Sequence, residues 1–245
     1  MNRFSLLILL SCVTLAAQAQ DEIVKDLKPF TSIIASPRVN LILTKGDQEH
    51  IRLVYHDVSK GKINIEVHQK TLHIYLDDAR KVEKMASYTD RYSRRRSMYA
   101  GVSITAYVTY KDIESLEIRG NQELTCNDAL EADEFRLKAY GENTINLASL
   151  KTDFFKASLY GQNILNIRKG RVVEQKYKLY GENRIDTHDM RSAFASASIF
   201  GEGNVRINTS EEVRVDAFGE PSIYVNGGAH VNKRLVFGRT AIHHD

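Results

Sequence analysis

Apolar and polar residues alternate through the second half of the chain, and the alternation is locked to a recurring glycine. Gly120, Gly141, Gly161, Gly181, Gly201, Gly219 and Gly238 follow one another at intervals from 18 residues (Gly201 to Gly219) to 21 (Gly120 to Gly141). Four positions after each glycine stand Leu124, Ile145, Leu165, Ile185, Val205, Ile223 and Ile242. Two before stand Ile118, Ala139, Leu159, Leu179, Ile199, Ala217 and Val236. Four before, the column reads Leu116, Leu137, Ala157, Tyr177, Ala197 and Val215, and Arg234 breaks it. Six after, a weaker column runs Cys126, Leu147, Ile167, Thr187, Ile207, Val225 and His244. A period of two on both sides of the glycine predicts strands with one buried face. Glycine suits the corner between them because it tolerates positive φ.

A fixed period of this size predicts stacked coils rather than a single globular core. Equivalent strands then lie parallel, about 4.8 Å apart, and parallel connections are normally right-handed. The expectation is an all-β, right-handed parallel β-helix-like solenoid with coils of about 20 residues over 113–245. A solenoid of α-helices is excluded, because the apolar spacing is two and Val, Ile, Tyr and Phe are frequent in these segments.

The region 20–112 is less regular. Ser32–Ala35, Val39–Leu43, Ile51–Tyr55, Ile63–Val67, Leu72–Leu76 and Val102–Val108 read as strands, and Lys45-Gly46-Asp47 and Lys60-Gly61-Lys62 as turns. This half is expected to begin the β structure and to cover its first open end, since a bare coil end exposes strand backbone. Between 77 and 100 the pattern stops. Arg80, Lys81, Lys84, Arg91, Arg94, Arg95 and Arg96 face Asp77, Asp78, Glu83 and Asp90 in a basic excursion, expected to be partly helical over Ala79 to Ala86.

The first 19 residues read as an export signal: Arg3, the apolar stretch Phe4 to Leu15, and the small-x-small site Ala17-Gln18-Ala19. A second reading of the same segment is lipoprotein processing at Cys12. The first reading starts the mature chain near Gln20; either places the protein in the periplasm, at the outer membrane surface or outside the cell. Cys126 is then the one thiol of the body, so stability must come from packing rather than a disulfide. The formal net charge is +3 and falls by one with Arg3, too small to imply a nucleic-acid partner.

Three surfaces carry candidate chemistry. The first is the corner, where Tyr140, Tyr160 and Tyr180, then Phe200, Phe218 and Phe237, precede the glycine. Glu142, Gln162, Glu182, Glu202 and Glu220 follow it, and Asn143, Asn163 and Asn183 come next, with Asn204 one place out of register. Aromatic rings beside carboxylates and amides suit a sugar ligand; aromatic and Asn ladders also simply stabilise stacked strands. No calcium-loop motif accompanies the carboxylates, and no metal or cofactor is expected. The second surface is basic: Arg136, Lys138, Lys156, Lys176, Lys178 and Arg214 point outward before the corner, a solvated face or a seat for anionic polysaccharide or lipid headgroups. The third is Asp186, His188 and Asp189, the densest acid/His cluster. It lacks the supporting copies that a polysaccharide lyase or hydrolase reading would need. His230, His243 and His244 read as a polar cap at the last coil.

Phe30-Thr31-Ser32-Ile33, the run Val39 to Asp47, Leu72-His73-Ile74-Tyr75, Ile113 to Gly120 and the glycine repeats together resemble the head GIN domain, a family of putative auto-transporter adhesins common in Bacteroidetes. The resemblance runs from about Asp26 to Gly238 and implies a β-helix-like fold, an adhesin-like role at the cell envelope and no catalytic set. The family repeat is Gly-small-Gly-Asp/Asn. Here a bulky Tyr or Phe precedes the glycine and Glu follows it, and only Gly201-Glu202-Gly203-Asn204 stays close. The sequence therefore predicts an exported, non-enzymatic binding protein, with a glycan held by the tyrosine corner. One alternative is a structural or assembly module without a small ligand, forming a homo-oligomer; the other is a polysaccharide lyase or hydrolase acting through the Asp186 cluster.

Overall fold

A computed structural model describes residues 21–89 and 95–244. The export segment with Cys12, and Asp90, Arg91 and Arg94 of the basic excursion, lie outside the described residues. The chain is built almost entirely of strands: β1 (Asp21–Asp26), β2 (Ser32–Ala35), β3 (Val39–Lys45), β4 (His50–His56), β5 (Ile63–His68), β6 (Thr71–Leu76), β7 (Met85–Thr89), β8 (Arg95–Ser97) and β9 (Ser103–Tyr110). Three long extended runs follow, β10 (Ser115–Glu131), β11 (Glu134–Ile167) and β12 (Gly170–Asn226), then β13 (His230–Phe237) and β14 (Ala241–His244). The long runs turn corners without leaving extended geometry, so the glycine bends a continuous strand instead of separating two.

Parallel pairing in the predicted register joins the coils. Leu116 lies beside Leu137, Gly120 beside Gly141 and Leu124 beside Ile145. Leu159, Gly161 and Leu165 likewise meet Leu179, Gly181 and Ile185. About six turns stack this way into a β-solenoid. The aliphatic columns form one interior, and from Leu116 to Val225 their members are at most 2 % exposed. Removing this apolar surface from water is what drives the stack, at roughly 25 cal/mol per Å².

The same register continues upward into the N-terminal half. Ile33 and Ala35 of β2 sit on Leu116 and Ile118, and Leu41 and Leu43 of β3 on Leu124 and Cys126. One layer higher, β6 pairs with β2 and β9 with β3, again in parallel. Antiparallel strands then close this end: β5 covers β6, β4 covers β9 and β1 covers β4. Reversing direction there ends the parallel stack and leaves fewer unpaired backbone groups at its head.

The basic excursion is the enlarged corner of this first layer, because it connects β6 to β9. The helix expected over Ala79 to Ala86 is absent: the chain passes from bends into β7, which pairs with β8 as an antiparallel hairpin. The segment is short and tied at both ends to strands, so local helix propensity yields to the geometry of the connection. Glu83 anchors it by accepting from Arg38 Nε at 2.9 Å, from the Tyr99 backbone N–H at 2.6 Å and from the Ser97 hydroxyl. Burial works against ionisation of Glu83, but these donors outweigh it and hold the carboxyl below its usual range.

Candidate functional site

The glycine corner is a steric necessity. Gly141, Gly161 and Gly181 adopt φ of 107°, 109° and 98°, a region costly for residues bearing a Cβ. Their stacking forbids a side chain as well. A Cβ on Gly161 would lie 2.2 Å from the carbonyl oxygen of Gly141, and one on Gly181 would lie 2.4 Å from that of Gly161. Each coil therefore seats its corner directly on the carbonyl of the coil above.

This close seating stacks the residues before the glycine. Tyr140, Tyr160, Tyr180, Phe200 and Phe218 lie face to face with centroids 4.9–5.0 Å apart and planes within 5° of parallel. Phe237 continues the column at 5.1 Å. The Arg119 guanidinium, held by Glu117, lies 5.9 Å from the Tyr140 centroid and closes the upper end. Tyr140, Tyr160 and Tyr180 are 36–38 % exposed. Since neighbours cover both faces of Tyr160 and Tyr180, what these rings offer solvent is edges and hydroxyls. A sugar cannot lie flat on them, so the face-stacking mode suggested by the residue types does not apply to these two. Partial burial and the adjacent phenols raise the Tyr160 hydroxyl above its usual value.

Across the corner, Glu142, Gln162 and Glu182 line an open groove of about 640 Å³ together with Asn143, Asn163 and Asn183, extended by Glu202 and Glu220. The tyrosines stand on the opposite flank and do not line it. The three asparagines form its floor. They are 1–2 % exposed and bond to one another, Asn143 Nδ2 to Asn163 Oδ1 at 2.9 Å and Asn163 Nδ2 to Asn183 Oδ1 at 3.1 Å. Asn143 Nδ2 and Asn183 Nδ2 also donate to the carbonyls of Tyr140 and Tyr180. Most of their amide capacity is thus spent inside the wall, and among the described residues Asn143 Oδ1 is left without a partner. The column ends because Gly203 takes the next place, where a Cβ would meet the Asn183 carbonyl at 2.2 Å. This explains why Asn204 is out of register.

The basic columns share the sheet face with the tyrosines. Lys156 lies beside Lys176, and Lys178 beside Ser158. Arg136 and Arg214 are neutralised by Glu134 and Glu212, each at 2.7 Å. Lys138, Lys156, Lys176 and Lys178 meet no carboxylate within 4.0 Å among the described residues. Desolvation, then the charges of Lys178, Lys176, Arg136 and Lys138, lowers the Lys156 ammonium below its usual value.

The Asp186 cluster is an exposed ion-pair triplet. His188 Nδ1 meets Asp186 at 2.6 Å and Nε2 meets Asp189 at 3.2 Å. Both ring nitrogens are engaged by acids, and the Asp186 hydrogen bond leads in raising the imidazole above its usual value. At the last coil His243 stacks on Tyr224 at 4.6 Å. No group of three His, Cys, Asp or Glu is arranged to hold a metal ion among the described residues. Cys126 is buried in the inward column and near the Tyr110 hydroxyl at 3.5 Å, and burial raises its thiol.

One interior network has no counterpart in the sequence reading. Tyr177 donates to Gln175 Oε1 at 2.7 Å and lies 3.0 Å from Thr187 Oγ1, while Gln175 Nε2 reaches Ser192 at 2.7 Å. The polar Thr187, in a column otherwise apolar from Cys126 to Val225, was the available signal. Small Ala157 and Ala197 occupy the neighbouring places in the Tyr177 column and give its ring room.

Chains of similar architecture are known. A putative adhesin from Bacteroides fragilis NCTC 9343 superposes with a TM-score of 0.72 at 15 % identity, covering 94 % of this chain and 98 % of that one. A putative adhesin from Parabacteroides merdae ATCC 43184 gives 0.66 at 16 %, covering 94 % and 97 %. A putative lipid binding protein from Parabacteroides distasonis ATCC 8503 gives 0.57 at 12 %, covering 92 % and 97 %. At these identities the likeness shows the fold. No curated protein matches the sequence. The family model for the putative auto-transporter adhesin, head GIN domain, matches residues 29–229. With its glycine corners, stacked coils and covered head accounted for, the chain belongs to the putative auto-transporter adhesin, head GIN domain family.

Proposed function

We propose that this protein is an exported, non-enzymatic, adhesin-like binding protein of the cell envelope that holds a carbohydrate along its corner. The observation that supports this is the regular repetition of the same polar edge. Tyr140, Tyr160 and Tyr180 recur at 4.9 Å on one flank, and Glu142, Gln162 and Glu182 line the other. A strand-borne surface of this kind is pre-organised, and weak equivalent contacts to a repeating polymer add along it. Tyrosine hydroxyls and carboxylates would bind sugar hydroxyls edge-on, and the buried asparagines would hold the spacing rather than touch the ligand.

A glycan array probed with the wild-type chain and with a Tyr140→Ala, Tyr160→Ala, Tyr180→Ala variant tests this. Loss of a defined glycan signal in the folded variant is expected. Unchanged binding in the variant, or no glycan bound by the wild type, overturns the reading. Cell fractionation tests the export part, with the protein expected in envelope or extracellular fractions and not in cytosol.

A second reading, assembly by stacking of coils between chains, is favoured by Leu235 and Phe237, which are 52 % and 60 % exposed on the last described coil. A stable oligomer in light scattering, together with no glycan binding, selects it.

A further inference from the structure

The corner hydroxyls and a cluster of four lysines fall in the same three coils. Stacking in the aromatic column requires a ring and not a phenol: Phe200 and Phe218 stack at 4.9–5.0 Å like the tyrosines, and Phe237 follows at 5.1 Å. Tyr140, Tyr160 and Tyr180 therefore carry hydroxyls for which the ladder has no use. The two outward columns beside them hold Lys138, Lys156, Lys176 and Lys178 in these coils. Where the ring becomes Phe, the same columns read Ser196 and Ser198, then Arg214, which Glu212 neutralises, and Asp216, with Lys233 and Leu235 in the last coil; within the tyrosine coils Ser158 takes one place. From the Tyr180 coil to the Phe200 coil, phenol gives way to phenyl and lysine to serine in both outward columns. A uniformly solvated face would have no reason to change both columns together.

We propose that these coils form a binding strip for an anionic polysaccharide, one carrying carboxylate or sulfate groups along an extended chain. The inference rests on the carbohydrate reading and names the ligand class for it. Among the described residues the four lysines meet no carboxylate within 4.0 Å, so they supply positive charge that a polyanion compensates. The tyrosine edges donate hydrogen bonds to the same chain from the adjacent column. Across the corner, Glu142, Glu182, Glu202 and Glu220 accept from the polymer's hydroxyls only and repel its anionic groups, which are thereby turned to the lysine side. The like charge of Lys178, Lys176, Arg136 and Lys138, which adds to desolvation in lowering the Lys156 ammonium, is compensated when the anion binds. The strip is flat and runs with the solenoid axis, which suits a linear polymer. It presents edge-on rings instead of insertable apolar side chains, which makes a lipid surface the poorer partner.

The experiment uses dextran sulfate and polygalacturonate against neutral dextran, with affinities measured by calorimetry at two salt concentrations. Preference for a charged polymer is expected, weakening as salt rises. A Lys138→Ser, Lys156→Ser, Lys176→Ser, Lys178→Ser variant carries the residue found at equivalent places in other coils, so folding is retained. It is expected to lose about tenfold or more in affinity. A charge-matched control with Lys28, Lys60, Lys111 and Lys169 changed to Ser is expected to bind as wild type. Replacing the three tyrosines by Phe is expected to weaken binding several-fold without changing stability. Equal binding of dextran and dextran sulfate, or equal losses in the two lysine variants, overturns the inference. Neutral-glycan binding that still requires the tyrosines would leave the carbohydrate reading standing. Binding to vesicles of anionic lipid with none to either charged polymer overturns the polysaccharide assignment.

Discussion

The carbonyl oxygen of Gly120 lies 2.0 Å from the point that a Cβ on Gly141 would occupy. The contact recurs down the column, at 2.2 Å from Gly141 to Gly161 and 2.4 Å from Gly161 to Gly181. It ties the corner, the coil spacing and the aromatic stack to one cause: absence of a side chain lets backbone sit on backbone.

Gly161→Ala should therefore destabilise strongly. The left-handed φ costs about 1–3 kcal/mol for alanine, and the overlap with a carbonyl adds to it because strand pairing cannot shift. A loss of about 3–5 kcal/mol is expected from urea unfolding. Gly228, at φ 79° with nothing within 4 Å of its Cβ position, should lose only the strain. Gly61, free of both constraints, should change by no more than about 0.5 kcal/mol on substitution by alanine. Similar values for Gly161 and Gly228 would show that stacking contributes nothing.

The amide ladder should behave as a buried network. Asn163→Ala removes the acceptor of Asn143 Nδ2 and the donor to Asn183 Oδ1 at sites 1–2 % exposed. Stranding buried polar groups costs on the order of 1–3 kcal/mol each, so a total loss of about 2–4 kcal/mol is expected. Asn166, whose 2.9 Å bond to Asn146 is only part-buried, provides the contrast and should lose about 1 kcal/mol or less. Chemical denaturation of the two variants side by side decides the matter.

Tyr180→Ala divides the aromatic column, removing its stacks with Tyr160 and Phe200 at 4.9 Å each. Each stacked pair is worth about 0.5–1.5 kcal/mol beyond area burial, so a loss of about 1–3 kcal/mol is expected. Tyr180→Phe keeps both stacks and should leave the melting midpoint unchanged. A midpoint lowered equally by both variants would assign stability to the hydroxyl instead.

Histidine titration separates two environments. His188 should titrate above 6.5, because the Asp186 hydrogen bond favours its charged form, and His73 below 6.5, because burial and then Arg80 oppose charging. Because the folded value is raised, the His188 contribution is fully present below pH 6.5 and is lost as pH rises from there through the higher folded value. The site is exposed, so screening keeps this contribution small. NMR titration of wild type and Asp186→Asn should show the His188 midpoint falling in the variant while that of His73 stays. An unmoved His188 midpoint would contradict the pairing.

Much of the architecture is readable before any coordinates, and Leu124, Ile145 and Leu165 show why. Each coil repeats the same buried place, so one alternation, repeated, gives strand direction, inward face and register together. Local residues also mark the corner, because φ and crowding at Gly141 act on that residue itself. Tyr177 marks where this legibility ends. Its hydroxyl is satisfied by Gln175 from its own strand and by Thr187 from beyond the corner, and its ring is accommodated by alanines one coil away. No short window of sequence holds that arrangement. The 77–100 segment is similar: its composition marks an interruption, but its identity as the enlarged corner of the first layer depends on β6 and β9 stacking on β2 and β3.

The candidate site divides along the same line. That tyrosines, acids and asparagines form columns follows from the period alone. Which atoms they present does not. The rings of Tyr160 and Tyr180 show edges because neighbouring coils lie closer than a ligand could enter, and Asn163 is inside the wall because its amide pairs upward and downward. The sequence by itself determined the repeat, the interior and the corner, since each rests on local sterics and alternating burial. Tertiary structure alone decided exposure, because exposure belongs to the stack of coils and not to any one of them.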